Sequence, residues 1–266
     1  MEEKLSDLMI SQNNEEQQST TTRVFIMGTI AGRLNNEHGA TSSATLTTIR
    51  NEAPEGSVVL DVNLRSPWYT PESVLELAKG CAMAEEGSDD SSSEESPKKL
   101  ALLKLNEEEL CILEQWCDLK FTSSSSDGIG TESDDGLTGS ILKRRMEQLA
   151  KVLNTQRLCV TRGKDGAALL CCKSSSSSSN DDDNDDNVEF YENAGYPSPA
   201  INNDSDTVGA GDAFLAALVA SLFIESESPP RALERACALG GYVAGCRGAT
   251  PEHEDAPEDL KNVFCS

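Results

Sequence analysis

Short apolar runs alternate with segments of helical character along most of this chain. Runs of four to eight residues rich in Val, Ile and Leu are typical of buried strands, and they lie at 23–29, 58–65, 100–105 and 158–161. Capped or regularly patterned segments between and after them predict helices at 71–80, 140–153 and 229–244. Strands that alternate with helices predict an α/β fold with a mostly parallel sheet covered on both faces.

Polar segments interrupt this pattern in four places. Residues 1–22 are rich in Gln, Asn, Ser and Thr, and the segments near 85–99, 122–139 and 174–187 are rich in Ser, Gly or acidic residues. Such compositions bury too little apolar surface to fold, so they predict a disordered tail and three disordered inserts. The remaining pattern predicts one domain over residues 23–266.

Charge and cysteine content narrow the class of protein. The formal net charge of −24 argues against nucleic acid or an anionic membrane as the main partner, and no run approaches the length of a membrane span. The 9 cysteines form no C-x-x-C pair, and only 2 histidines are present to complete a metal site. These features predict a reducing compartment and a cytoplasmic protein, with an organelle left open.

The stretch Asp206-Thr-Val-Gly-Ala-Gly-Asp212 leads directly into an apolar run at 213–224 that predicts a buried helix. Gly209 and Gly211 would lie at the helix entrance, where main-chain amides lack partners within the helix and can bind an anion. Asp212 would lie in the first turn and could accept the proton of an attacking hydroxyl. An ordinary helix N-terminus with flexible glycines would have the same residues.

Three other places combine polar residues with strand ends. Asp61, Asn63 and Arg65 alternate after the second strand, at the end where parallel sheets bind ligands, although they could simply terminate it. Asn106 follows the third strand and could cap the next helix. The segment 161–166 contains two glycines and predicts a tight connection between strands.

These motifs together resemble the PfkB (ribokinase-like) carbohydrate kinase family from about residue 23 onward. Asp-Thr-x-Gly-Ala-Gly-Asp before an apolar helix is the family's long C-terminal signature. Lys-x-Asn-x-x-Glu at 104–109, Thr-x-Gly-x-x-Gly at 161–166 and Gly-Ala at 248–249 follow the family order. Asp-Val-Asn-Leu-Arg at 61–65 resembles the fructokinase and ketodeoxygluconate-kinase branches. Cys237 departs from the asparagine that many members have near the adenine.

The resemblance implies a role for each matching residue. Asp212 would be the catalytic base, and the amides of Gly209, Ala210 and Gly211 would form the anion hole. Nucleotide contacts would come from Thr161, Gly163, Gly166, Thr207, Gly248 and Ala249. Substrate contacts would come from Arg65, Asp61 and Asn63. Asn106 and Glu109 would organise Mg²⁺ through water, and Asp206 would lie near a monovalent cation, K⁺.

The expected architecture is a ribokinase-like three-layer fold without the family's N-terminal strands and β lid. The expected reaction is transfer of the γ-phosphoryl group of ATP to a sugar hydroxyl by a fructokinase-like enzyme, with small-molecule sugar and ATP as partners and a homodimer as one possible assembly. Two alternatives stay open: a catalytically inactive nucleotide-binding fragment or regulatory pseudokinase of the same family, and a nucleoside kinase of the adenosine type.

Overall fold

A mostly parallel sheet of six strands organises the described part of the chain. The computed structural model of this protein describes residues 23–29, 47–49, 52–53, 57–67, 69–80, 99–119, 139–173, 188–197 and 206–264. The predicted tail at 1–22 and nearly all of the three predicted inserts lie outside these residues.

The strand order follows the sequence order. The strands are β1 (Phe25–Gly28), β2 (Val58–Asp61), β3 (Leu102–Asn106), β4 (Arg157–Thr161), β5 (Ala167–Cys172) and β6 (Val188–Asn193). Strands β1 to β4 are parallel, whereas β5 and β6 are antiparallel to their neighbours. The predicted α/β fold with a mostly parallel sheet is thus confirmed.

The structure gives the bounds of six α-helices within its described residues. They are α1 (Pro71–Gly80), α2 (Glu107–Trp116), α3 (Gly139–Val152), α4 (Ala210–Val219), α5 (Pro229–Ala244) and α6 (Glu258–Phe264). None of the described helices is both long and apolar enough to cross a membrane.

Alternation along each strand divides the core into two layers. Leu103 and Leu105 of β3 point into a cluster with α2 and α3, where Leu110 and Met146 are fully buried. Leu102 points to the opposite face and packs with residues of α4 and α5. Because side chains alternate along a strand, Lys104 lies on the same face as Leu102, under α4 and α5. The result is a three-layer α/β/α arrangement.

Two predictions of local structure are wrong in extent. The strand expected over 58–65 ends at Asp61, because Asn63 has a positive φ of 34° and breaks the alternation that the sequence suggested. The buried helix predicted over 213–224 forms, but its α-helical part ends at Val219 and is buried mainly at Phe214, Leu215, Leu218 and Val219. It continues as a π-helical turn, Ala220–Ile224, in which Ile224 is 69% exposed.

Candidate active site

The N-terminus of α4 is shaped by a glycine that no other residue could replace without strain. Gly209 precedes the helix with φ 81° and ψ −10°, a left-handed conformation that glycine adopts at little cost. A Cβ at this position would lie 2.6 Å from both Cα and Cβ of Ala249. The signature loop therefore packs directly on the Gly248-Ala249 loop, which brings two of the predicted motifs together.

Asp206 holds the same two loops together through its carboxylate. Its Oδ1 accepts a hydrogen bond from the Val208 amide at 3.2 Å, and its Oδ2 accepts one from the Gly248 amide at 3.3 Å. Its own amide donates to the Cys246 carbonyl at 3.1 Å. The structure thus gives Asp206 a clear organising role, and the monovalent-cation role stays a prediction.

The start of α4 borders a cavity, and amides of its first turn could bind an anion there. The first turn of any α-helix has N–H groups without partners inside the helix, and the dipole favours negative charge there. The Ala210 amide donates to the Thr207 carbonyl at 3.3 Å, so one of the three predicted anion-hole amides is already engaged. Gly211 and Asp212 are the remaining first-turn positions, and the Asp212 side chain is exposed beside them.

A cavity of about 360 Å³ opens next to this helix terminus. Its volume lies in the range of small-molecule sites. The predicted nucleotide contacts that line it are Thr161, Gly163, Gly166 and Thr207, and Ala210 and Gly211 complete that wall. Further lining residues that sequence reasoning did not assign include Lys164, Tyr196, Phe214, Gly240 and Gly241.

The loop between β4 and β5 supplies one wall of the cavity. Residues Gly163–Asp165 form a short 3-10 turn, and the Arg162 amide donates to the Gly166 carbonyl at 2.7 Å, which closes the predicted tight connection. Gly166 has φ 82°, and a Cβ there would lie 2.0 Å from the Asn193 carbonyl oxygen. Close packing of this loop on the end of β6 therefore requires glycine.

Cys237 of α5 also lines the cavity. It stands where many family members have an asparagine. Burial raises the pKa of its thiol to about 12, so the side chain is an uncharged, weakly polar group at neutral pH. It thus presents a small apolar surface to whatever occupies this part of the cavity.

Glu109 caps α2 and also ties the β2 loop to it. Its Oε2 accepts from the Asn106 amide at 2.9 Å, while Asn106 Oδ1 accepts from the Glu109 amide at 2.9 Å, forming a capping box. Its Oε1 accepts from the Leu64 amide at 2.7 Å. Burial raises the pKa of this carboxyl, and the two amide hydrogen bonds oppose that rise.

The oxygens of this pair are therefore engaged by main-chain amides. No cluster of three or more His, Cys, Asp or Glu side chains suited to a metal ion occurs within the described ranges. Direct coordination of Mg²⁺ by Asn106 or Glu109 would compete with these hydrogen bonds. The predicted role of Asn106 and Glu109 through bridging water stays a prediction.

A buried ion pair lies beneath the start of α4. Lys104 Nζ is 3.0 Å from Asp61 Oδ1, and the two side chains are 9% and 8% exposed. They are paired across neighbouring strands, since Asp61 and Lys104 are in register in the β2–β3 ladder. Burial raises the pKa of Asp61; the Lys104 ammonium opposes this rise, Asp212 reinforces it, and Arg65 opposes it slightly.

The charges of Asp212 and Arg65 thus both act on the pKa of Asp61. Asn63 lies in the same loop and is half-buried. Lys104 is the first residue of the Lys-x-Asn-x-x-Glu motif, but no role was predicted for it. A lysine in the otherwise apolar run 100–105 was the signal that could have identified it.

The fold and the site define a class: an α/β protein with a glycine-flanked helix terminus beside a cavity of about 360 Å³. A sequence profile of the pfkB family carbohydrate kinases matches residues 98–256, which is more than half of the chain. The chain therefore belongs to the pfkB carbohydrate kinase family. It matches no curated protein sequence.

Solved structures of kinases share the ribokinase-like fold. Aminoimidazole riboside kinase from Salmonella enterica, complexed with aminoimidazole riboside and an ATP analogue, has a TM-score of 0.53 at 19% identity, covering 91% of this chain and 63% of that one. 2-Dehydro-3-deoxygluconokinase from Thermotoga maritima has a TM-score of 0.54 at 15% identity, covering 92% and 61%.

A double mutant of fructokinase from Vibrio cholerae O395, bound to fructose, ADP and a potassium ion, has a TM-score of 0.52 at 16% identity, covering 86% and 57%. The chain thus spans 57% to 63% of the length of these three kinases. The expected family and fold are confirmed.

Proposed function

We propose that this chain carries the ATP-binding and phosphoryl-transfer part of a carbohydrate kinase of the fructokinase type. The observation that carries the proposal is the junction of the α4 N-terminus with the cavity lined by the β4–β5 loop. At this junction, first-turn amides, an exposed carboxylate and a space for a nucleotide occur side by side. Membership of the pfkB family supports the same reaction class.

Asp212 acts as the base in this reaction. Its carboxylate accepts the proton of the acceptor hydroxyl while the hydroxyl oxygen forms a bond to the γ-phosphorus of ATP. The bond between that phosphorus and the β,γ-bridging oxygen breaks, and ADP leaves. The amides of Gly211 and Asp212, together with the helix dipole, stabilise the negative charge on the transferred group. Mg²⁺ supplies additional charge neutralisation when bound.

The nucleotide occupies the cavity with its phosphates directed to the start of α4. Thr161, Gly163 and Gly166 lie against it on the β4–β5 side, and the Gly248-Ala249 loop supports the opposite side through its contact with Gly209. K⁺ is the proposed monovalent cation near Asp206. The acceptor is a sugar with a hydroxyl near Asp212, and the exposed Arg65 is its proposed contact.

The decisive experiment is coupled ATP turnover by the purified chain with fructose, ribose, ketodeoxygluconate and adenosine as acceptors. We expect turnover with a sugar, and we expect Asp212→Asn to abolish it because an amide cannot accept the proton. Asp259→Asn is the matched control, since Asp259 is an exposed aspartate in the first turn of α6, away from the cavity. It should retain wild-type turnover.

Three results would contradict the proposal in different ways. Unchanged turnover in Asp212→Asn would remove Asp212 from the mechanism. Preference for adenosine over every sugar would assign the chain to the nucleoside kinases. ATP binding without turnover on any acceptor would identify a nucleotide-binding protein that does not catalyse transfer.

A further inference from the structure

A contribution to folding stability does not explain why the ion pair of Lys104 and Asp61 is buried in this layer. Both side chains are more than nine-tenths buried, and they interrupt an otherwise apolar layer between the sheet and α4. Removing two charges from water costs about as much as their attraction returns, and well-packed apolar residues often do as well or better. The pair therefore calls for a role other than holding the fold together.

The position of the ammonium group suggests that role. An added Cβ at Gly211 would lie 3.4 Å from Lys104 Nζ. The ammonium group therefore lies in van der Waals range of the first turn of α4. Gly211 also lines the cavity. The lysine thus places its charge within a few ångströms of a residue that lines the cavity, although Lys104 itself does not line it.

Negative charges near this wall of the cavity oppose the binding of an anion. The Asp212 carboxylate raises the pKa of Asp61, and the Asp61 carboxylate raises the pKa of Glu109, so negative charges act on one another near this wall. Arg65 is exposed, so solvent and salt screen its charge. Lys104 is buried and screened far less. The helix terminus alone would have to overcome the repulsion of these carboxylates.

We propose that Lys104, held in place by Asp61, is a positioning residue of the anion site, whose fixed charge near Gly211 strengthens the binding of a polyphosphate at the start of α4. The proposal rests on the function proposed above in taking ATP as the natural ligand. Lys104 does not line the cavity, so its charge attracts the anion from a distance, while the first-turn amides of α4 contact the anion directly. Asp61 fixes the ammonium in that position.

The test measures binding of inorganic tripolyphosphate to the full chain by calorimetry, alongside urea denaturation. Lys104→Met should weaken binding by roughly tenfold or more, the effect of one unit charge acting through a few ångströms of protein. The double variant Lys104→Met/Asp61→Leu removes both charges and should regain much of the wild-type stability while binding stays weak. Lys104→Arg keeps the charge and should retain most of the affinity.

Lys151→Met is the matched control for net charge, because Lys151 is an exposed lysine in the last turn of α3. It should bind tripolyphosphate as the wild type does. A double variant of normal stability and unchanged affinity would show that the pair is only structural and would overturn the proposal. Absence of tripolyphosphate binding by the wild type would overturn it as well.

The outcomes separate this inference from the proposed reaction. If tripolyphosphate binding depends on Lys104 but the chain has no ATP turnover, the anion site is supported and the kinase activity is rejected. Turnover that depends on Asp212, together with tripolyphosphate binding indifferent to Lys104, would support the kinase and reject the role of the lysine.

Discussion

Gly209 offers a direct test of the packing of the signature loop, because a second glycine with the same φ serves as its control. Gly209 and Gly248 both have φ 81°. A Cβ at 209 would lie 2.6 Å from two carbons of Ala249 and 2.9 Å from its carbonyl oxygen, whereas a Cβ at 248 would have no atom within 4 Å. Alanine at either position bears the left-handed strain, but only alanine at 209 also overlaps its neighbour.

The expected magnitudes follow from these two contributions. The left-handed conformation costs a residue other than glycine about 1–2 kcal/mol. Overlap in a packed region adds about 1–3 kcal/mol, because the surrounding backbone must shift. Gly248→Ala should therefore lower the free energy of unfolding by the first amount alone. Gly209→Ala should lower it by the sum, about 2–5 kcal/mol.

Urea denaturation followed by circular dichroism measures both changes. With a slope of about 2 kcal/mol per M, the two variants should differ in midpoint by roughly 0.5–1.5 M. We also expect Gly209→Ala to bind ATP more weakly than Gly248→Ala, because the displaced loop carries the amides at the start of α4. Equal midpoints would show that the contact of Gly209 with Ala249 relaxes freely, and the close packing of the two loops would then not constrain the site.

Two further predictions concern buried carboxylates. Glu109→Gln should destabilise the chain by about 2–3 kcal/mol, because one acceptor is lost and the new amide group then faces a main-chain N–H. The control is Glu107→Gln in the same turn, which should change the urea midpoint little because Glu107 is exposed. Arg145→Met should cost about 3–5 kcal/mol, because it leaves the buried Glu114 without its bidentate partner. The control is Lys143→Met, which removes a half-buried ion pair with Glu147 and should cost less than about 1 kcal/mol. An equal loss of unfolding free energy in the Lys143 and Arg145 variants would contradict this reasoning.

The regular part of the fold could be predicted because its signals are local. Helix α5 begins at Pro229 and ends at Ala244, as the sequence indicated. The Thr70 hydroxyl accepts a hydrogen bond from the Ser73 amide at 3.2 Å, which confirms the predicted cap of α1. Caps, prolines and apolar periodicity act within a few residues, so they can be recognised without knowledge of the tertiary structure.

The errors arose where tertiary contacts decide the conformation. Alternation from Asp61 to Arg65 suggested a continuing strand, but the Leu64 amide instead donates to Glu109, and the Thr29 hydroxyl donates to the Val62 carbonyl. The partners of these bonds are about 30 to 45 residues distant in sequence. The role of Lys104 was not predicted for the same reason, because it depends on contacts with Asp61 in the neighbouring strand and with Gly211 in a helix distant in sequence.

Most residues of the candidate site also perform a structural task, which limits what a loss of activity can prove. Asp206 joins two loops, Glu109 caps α2, and Gly209 permits a contact that a side chain would prevent. Substitution of any of them would disturb the fold and the chemistry together. Asp212 differs, because its side chain is exposed in the first turn of α4.

The main contribution of Asp212 to stability is its favourable interaction with the helix dipole, worth less than about 1 kcal/mol at an exposed position. Asp212→Asn should therefore fold as the wild type does and keep a urea midpoint within about 0.5 M. A loss of turnover in a variant of unchanged stability and unchanged ATP affinity would then be a loss of chemistry. If this variant also lost ATP affinity, Asp212 would have to be assigned to ligand binding instead of proton transfer.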